Sequence, residues 1–91
     1  MRLHQHRIDL CNRVLVSVQG LIPCGLFQDV HDYINKYNEW GVGIEFLIDY
    51  ISEFEIKISR EQFRLISDAT ASMGLDDSNR IQYLSGNDVV G

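Results

Sequence analysis

The run Glu39-Trp40-Gly41-Val42-Gly43-Ile44-Glu45-Phe46-Leu47-Ile48-Asp49-Tyr50-Ile51-Ser52-Glu53-Phe54 decides the fold. At about 100° per residue, Trp40, Ile44, Leu47, Ile48, Ile51 and Phe54 fall within roughly 120° of arc, the apolar stripe of an amphipathic helix. Asn38 stands where an N-cap belongs, so the helix is expected from about Glu39 to Phe54. Gly41 and Gly43 weaken its first turn, because glycine is a poor helix former.

Working outward, a second helix is expected from near Pro23, a residue suited to a first turn, to about Tyr37. Leu26, Val30, Tyr33, Ile34 and Tyr37 form its stripe. Upstream, Ile8, Cys11, Val14, Leu15 and Val18 keep helical spacing between His4 and Gln19. The run Val14-Leu15-Val16-Ser17-Val18 also alternates and is β-branched, which leaves a strand over residues 13–19 open beside the preferred helix. Downstream, Glu55-Ile56-Lys57-Ile58 reads as a short extended connection whose isoleucines plug the helix ends. Ser59 and Gln62 have the spacing of a capping box, opening a fourth helix with Phe63, Ile66, Ala69, Thr70 and Met73 inward. Gly74 stops it as a left-handed C-cap would. Asp76, Asp77 or Ser78 would cap a last short helix to about Leu84, with Ile81 and Leu84 inward. Helices with one apolar face each bury it against one another, so the fold class is all-α, a small four- to five-helix bundle. Residues 1–85 form the single domain and 86–91 a polar C-terminal tail.

Composition limits what such a bundle does. The 91 residues carry 13 acidic and 8 basic side chains, a formal charge of −5. A nucleic-acid binder needs a basic footprint and a peripheral membrane binder needs cations for anionic lipid, so both are excluded as partners. No stretch approaches the about 20 apolar residues that span a bilayer. Asp9, Asn12 and Arg13 interrupt what would be the apolar region of a signal peptide, which places the chain in the cytosol. Cys11 and Cys24 make no metal or redox motif and read as reduced, partly buried residues, with a disulfide as the alternative.

Catalytic patterns are missing. His4 and His6 fall on different helix faces, and His31 has no cysteine or carboxylate at metal spacing. Gly41-Val42-Gly43 lacks both the further glycine and the preceding strand of a phosphate cradle. No serine has a nucleophile-elbow context. Glu45 and Asp49 stand four apart, but carboxylates at that spacing are common in an acidic protein and do not imply acid–base catalysis. The chain is read as a non-enzyme without cofactor or metal.

The negative charge has a location. Residues 1–25 and 56–91 are close to neutral, whereas 26–55 hold Asp29, Asp32, Glu39, Glu45, Asp49, Glu53 and Glu55 against Lys36 alone. Glu45, Asp49 and Glu53 recur every fourth residue and line one narrow face, where like charges repel by a few tenths of a kcal/mol per pair. Such a row is either the solvated outer face of the helix or a docking face for a basic partner. Tyr33, Tyr37, Trp40 and Tyr50 lie in the same region; Tyr33 and Trp40 are assigned to the core and Tyr50, at the border of the two faces, to the interface.

Ile22-Pro23, Asp29-Val30, Tyr33-Ile34, Glu39-Trp40 and Gly43-Ile44-Glu45-Phe46-Leu47 carry a further signal. It continues through Asp49, Glu53, Ile58-Ser59, Phe63 and Met73-Gly74-Leu75. Over residues 21–76 the chain resembles the MafI-type immunity proteins, including those paired with toxins of bacterial contact-dependent growth inhibition. Gly43, where such sequences often have alanine, departs from that pattern and is expected to loosen the helix start. The resemblance implies an antitoxin of the bacterial cytosol that neutralises a cognate C-terminal toxin domain. Several such toxins are nucleases, including tRNA-cleaving RNases, and a nuclease surface is basic because its substrate is a polyanion. The expected partner-binding residues are Asp29, Asp32, Glu39, Glu45, Asp49, Tyr50 and Glu53. The competing function is a small helical adaptor or assembly subunit that binds through an apolar groove.

Overall fold

The computed structural model describes residues 3–74 and 89–90. In chain order they form α1 (Leu3–Ser17), a 3₁₀ turn (Gln19–Leu21), α2 (Cys24–Asn35), α3 (Trp40–Glu53), β1 (Ile58–Ser59), α4 (Arg60–Ser72) and β2 (Val89–Val90). This is the all-α bundle that the apolar stripes require. The run at residues 13–17 is helical, so the strand alternative is excluded there. The short helix expected over residues 76–84 lies outside the described residues.

α3 is the keystone because its stripe is buried on several sides. Ile44, Leu47, Ile48 and Ile51 are fully enclosed, together with Cys11, Val14, Leu15 and Val18 of α1, Val30 and Ile34 of α2, Ile58, and Ile66 and Ala69 of α4. α2 packs chiefly on α3 and α1 chiefly on α4, while α1 also bridges to α2. Asn12 and Asn35 pin that bridge with two reciprocal amide hydrogen bonds, each 2.9 Å from Nδ2 to Oδ1. Among the described residues no helix is long and apolar enough to cross a membrane.

Several helix ends differ from expectation. Pro23 is the N-cap of α2 and not its first residue. Asn38 does not cap α3: it holds φ +56°, a left-handed turn that asparagine tolerates, and Glu39 occupies the N-cap without a side-chain hydrogen bond. Gly43 does not loosen the start, since its N–H donates to the Glu39 carbonyl at 3.0 Å and the residue is buried. A Cβ there would sit 3.1 Å from Tyr33 Cβ, 3.3 Å from Ile34 Cγ1 and 3.4 Å from the Val30 carbonyl, so the missing side chain is what lets α2 and α3 approach.

Phe54, expected in the core stripe, caps α3 and turns 62% of its surface to solvent. The reason is the chain reversal after it. Glu55 adopts φ +51°, Ile56 N–H bonds the Ile51 carbonyl at 3.0 Å and Glu55 N–H the Ser52 carbonyl at 3.3 Å, which together make a Schellman motif. The connection is therefore a left-handed stop before it extends, and Ile58 supplies the buried plug while Ile56 is half-buried.

The capping box forms as the Ser59–Gln62 spacing requires. Gln62 N–H donates to Ser59 Oγ at 3.0 Å, and Ser59 N–H donates to Gln62 Oε1 at 2.7 Å. The free amide group of Gln62 then reaches the last carbonyl of α1, with Nε2 2.7 Å from Ser17 O. Gly74 has φ +74°, the left-handed stop read from the sequence. A feature without a sequence signal is the parallel pairing of β1 with β2, Ile58 opposite Val89 and Ser59 opposite Val90.

An acidic and aromatic face as candidate functional site

Burying Ile44, Leu47, Ile48 and Ile51 forces the other side of α3 outward, and the sequence decides what is shown there. Glu45, Asp49 and Glu53 follow one another a turn apart, with Glu45 half-buried and the other two exposed. Between and beside them lie Val42 and Phe46, whose surfaces are 44% and 49% exposed. The face is therefore a carboxylate row interleaved with large apolar groups, a composition that differs from an ordinary solvated helix face.

The aromatic rings are connected. Tyr33 of α2 meets Phe46 of α3 at 5.6 Å between ring centroids and Tyr37 at 6.2 Å, while Tyr50 and Phe54 meet at 4.5 Å with their planes tilted by 35°. Leu26, Phe46, Asp49, Tyr50, Glu53 and Phe54 together line an open cleft of about 280 Å³. Lys36, the one lysine or arginine of residues 26–55, lies over the Tyr37 ring at 5.6 Å.

The expected binding residues are only partly assembled. Glu45, Asp49, Tyr50 and Glu53 share the outer face of α3. Asp29 borders it, about 40° around α2 from Tyr33. Asp32 is about 100° from Tyr33, and its carboxylate accepts from Gln28 Nε2 at 3.0 Å and sits 3.6 Å from His31 Nδ1. Glu39 stands at the opposite end of α3 from Glu53, about 20 Å away along the axis, where a carboxylate stabilises the helix N-terminus. Tyr37 is exposed, whereas Tyr33 and Trp40, assigned to the core, are half-buried. Trp40 carries the Arg7 guanidinium of α1 5.5 Å above its ring.

Leu26, Val42, Phe46 and Phe54 were not among the expected residues. A ladder at i, i+4 through Val42, Phe46, Tyr50 and Phe54 carries the signal, but the strong core stripe claims Phe54 and masks it.

Elsewhere, a cleft of about 520 Å³ lies between α1 and α4, lined by Asp9, Asn12, Arg13, Val16, Ser17 and Leu65. Both cysteines are free thiols; Cys11 is buried and Cys24 is exposed. Among the described residues no three histidine, cysteine or carboxylate side chains converge on a metal position. No family model, curated protein or solved structure matches this chain.

Proposed function

We propose that the chain is an immunity protein of the bacterial cytosol that binds and neutralises a cognate C-terminal toxin domain, a basic nuclease such as a tRNA-cleaving RNase. The observation that carries this reading is the outer face of α3, where Glu45, Asp49 and Glu53 alternate with solvent-facing Val42 and Phe46. Carboxylates supply long-range attraction to a surface built for phosphates, and apolar groups supply the burial that holds a complex together. The chain acts stoichiometrically, without chemistry of its own, and competes with the polyanionic substrate by charge and shape. The sequence resemblance to MafI-type immunity proteins supports the same assignment from a separate direction.

The test is a triple charge reversal, Glu45→Lys, Asp49→Lys and Glu53→Lys, co-expressed with the cognate toxin domain. We expect unchanged helicity by circular dichroism, sharply weaker toxin binding and loss of protection. A reversed protein that binds as tightly and protects as well overturns the acidic-face mechanism.

The adaptor reading has one observation in its favour, the α1–α4 cleft with Val16 64% exposed at its edge. Binding there is apolar, so it should be nearly insensitive to salt and abolished by Val16→Asp, whereas docking on α3 slows as salt rises.

A further inference from the structure

We infer that the cleft between α2 and the C-terminal half of α3 is an arginine pocket, taking one guanidinium of the partner onto Tyr50 and Phe54 between the carboxylates of Asp49 and Glu53. This rests on the docking reading of α3 and specifies the chemistry that the face selects.

Size comes first. At about 280 Å³ the open cleft has room for one long side chain. Its lining then sets the type. Leu26 and Phe46 give an apolar wall for a methylene stem, and the Tyr50–Phe54 pair, with centroids 4.5 Å apart, offers a ring surface. Phe54 leaves 62% of its surface in solvent, so a planar cation can lie on it without displacing the core. Asp49 and Glu53, one helical turn apart, line the same cleft with carboxylates, groups that accept charge-assisted hydrogen bonds from a guanidinium.

Lysine satisfies the charge but not the shape. A guanidinium is flat, stacks on rings and forks toward carboxylate oxygens, whereas an ammonium is a compact, strongly hydrated point charge. The chain already sets one guanidinium over a ring, Arg7 over Trp40 with 5.5 Å to the centroid.

The experiment uses the full chain and two acetylated, amidated octapeptides of equal charge, alternating glycine with arginine or glycine with lysine. Titrations at low salt are followed by aromatic and backbone nuclear magnetic resonance shifts. The arginine peptide should bind roughly 2- to 5-fold tighter than the lysine peptide, with the largest shifts at Tyr50 and Phe54. Phe54→Leu, at a largely exposed position, should retain the fold and bring the arginine peptide down to the lysine level. Equal binding of the two peptides, or shifts centred on Asp29 and Asp32 with Tyr50 and Phe54 unmoved, overturns the pocket. The two readings fail separately. Loss of protection by the triple reversal with no arginine preference leaves immunity standing and removes the pocket. Arginine preference with protection intact after reversal leaves the pocket standing and removes the immunity mechanism.

Discussion

Gly41 and Gly43 are two residues apart in one helix and should respond oppositely to a methyl group. An alanine at 41 meets nothing within 4 Å and gains helix propensity, so Gly41→Ala should stabilise by about 0.5–1 kcal/mol. The same change at 43 sets a Cβ 3.1 Å from the Cβ of Tyr33, which cannot swing aside. Overpacking of that kind outweighs the propensity gain, so Gly43→Ala should lower stability by about 1 kcal/mol, or roughly 4–8 °C in Tm. Thermal melts of the pair check both signs. Helical periodicity made the stripe around Gly43 legible, but no one-dimensional pattern reports how near a second helix stands. Glu55 is the converse case, a side chain where φ is +51°; Glu55→Gly should stabilise by about 1 kcal/mol in urea unfolding. Cys11 adds a pH dependence, because burial pushes its thiol from 9.0 up to about 12. The unfolded thiol ionises first, so this contribution is complete below pH 9 and is lost as pH climbs through about 12. Urea midpoints should therefore fall more steeply with alkaline pH in the parent chain than in Cys11→Ala.

At the level of whole elements, the ends of helices separate what is local from what is not. The Ser59–Gln62 box involves four consecutive residues, and it forms as that spacing predicts. The Schellman stop after α3 has Glu55 where glycine is usual, so the sequence there reads as an extended connection. Nor could spacing show that the Gln62 side chain also donates to Ser17 O, a carbonyl 45 positions away. That double duty makes an unusual prediction. Glutamate suits a capping box as well as glutamine does, yet Gln62→Glu should cost about 1–2 kcal/mol, because it replaces the donor facing Ser17 with a carboxylate oxygen. The loss should shrink in acid, as the carboxyl regains a proton. Ser59→Ala, which removes only the cap, should cost about 1 kcal/mol at every pH. Chemical denaturation at neutral and acid pH distinguishes the two.

Across the molecule, the acidic excess lies in the α2–α3 half of the bundle. α2 and α3 pack together and hold the excess, while α1 and α4 present Arg7, Arg13, Arg60 and Arg64 against Asp9, Glu61 and Asp68. Such polarity orients an approaching cationic partner before contact. The association rate with the proposed toxin partner should fall by at least about tenfold between 50 and 500 mM salt, with a much smaller change in dissociation, as stopped-flow mixing would show. This half of the bundle is legible in the sequence because α2 and α3 are neighbours along the chain and in space. The apolar half of the surface stayed hidden because outward and inward aromatics look alike until the core is packed. The pairing of β1 with β2 has a kinetic consequence. It joins strands about 30 residues apart through two residues on each side, whereas each helix closes over a single turn. Closure of that clasp belongs at the end of folding and its release at the beginning of unfolding, so the amides of β1 and β2 should exchange with solvent well before those of α3.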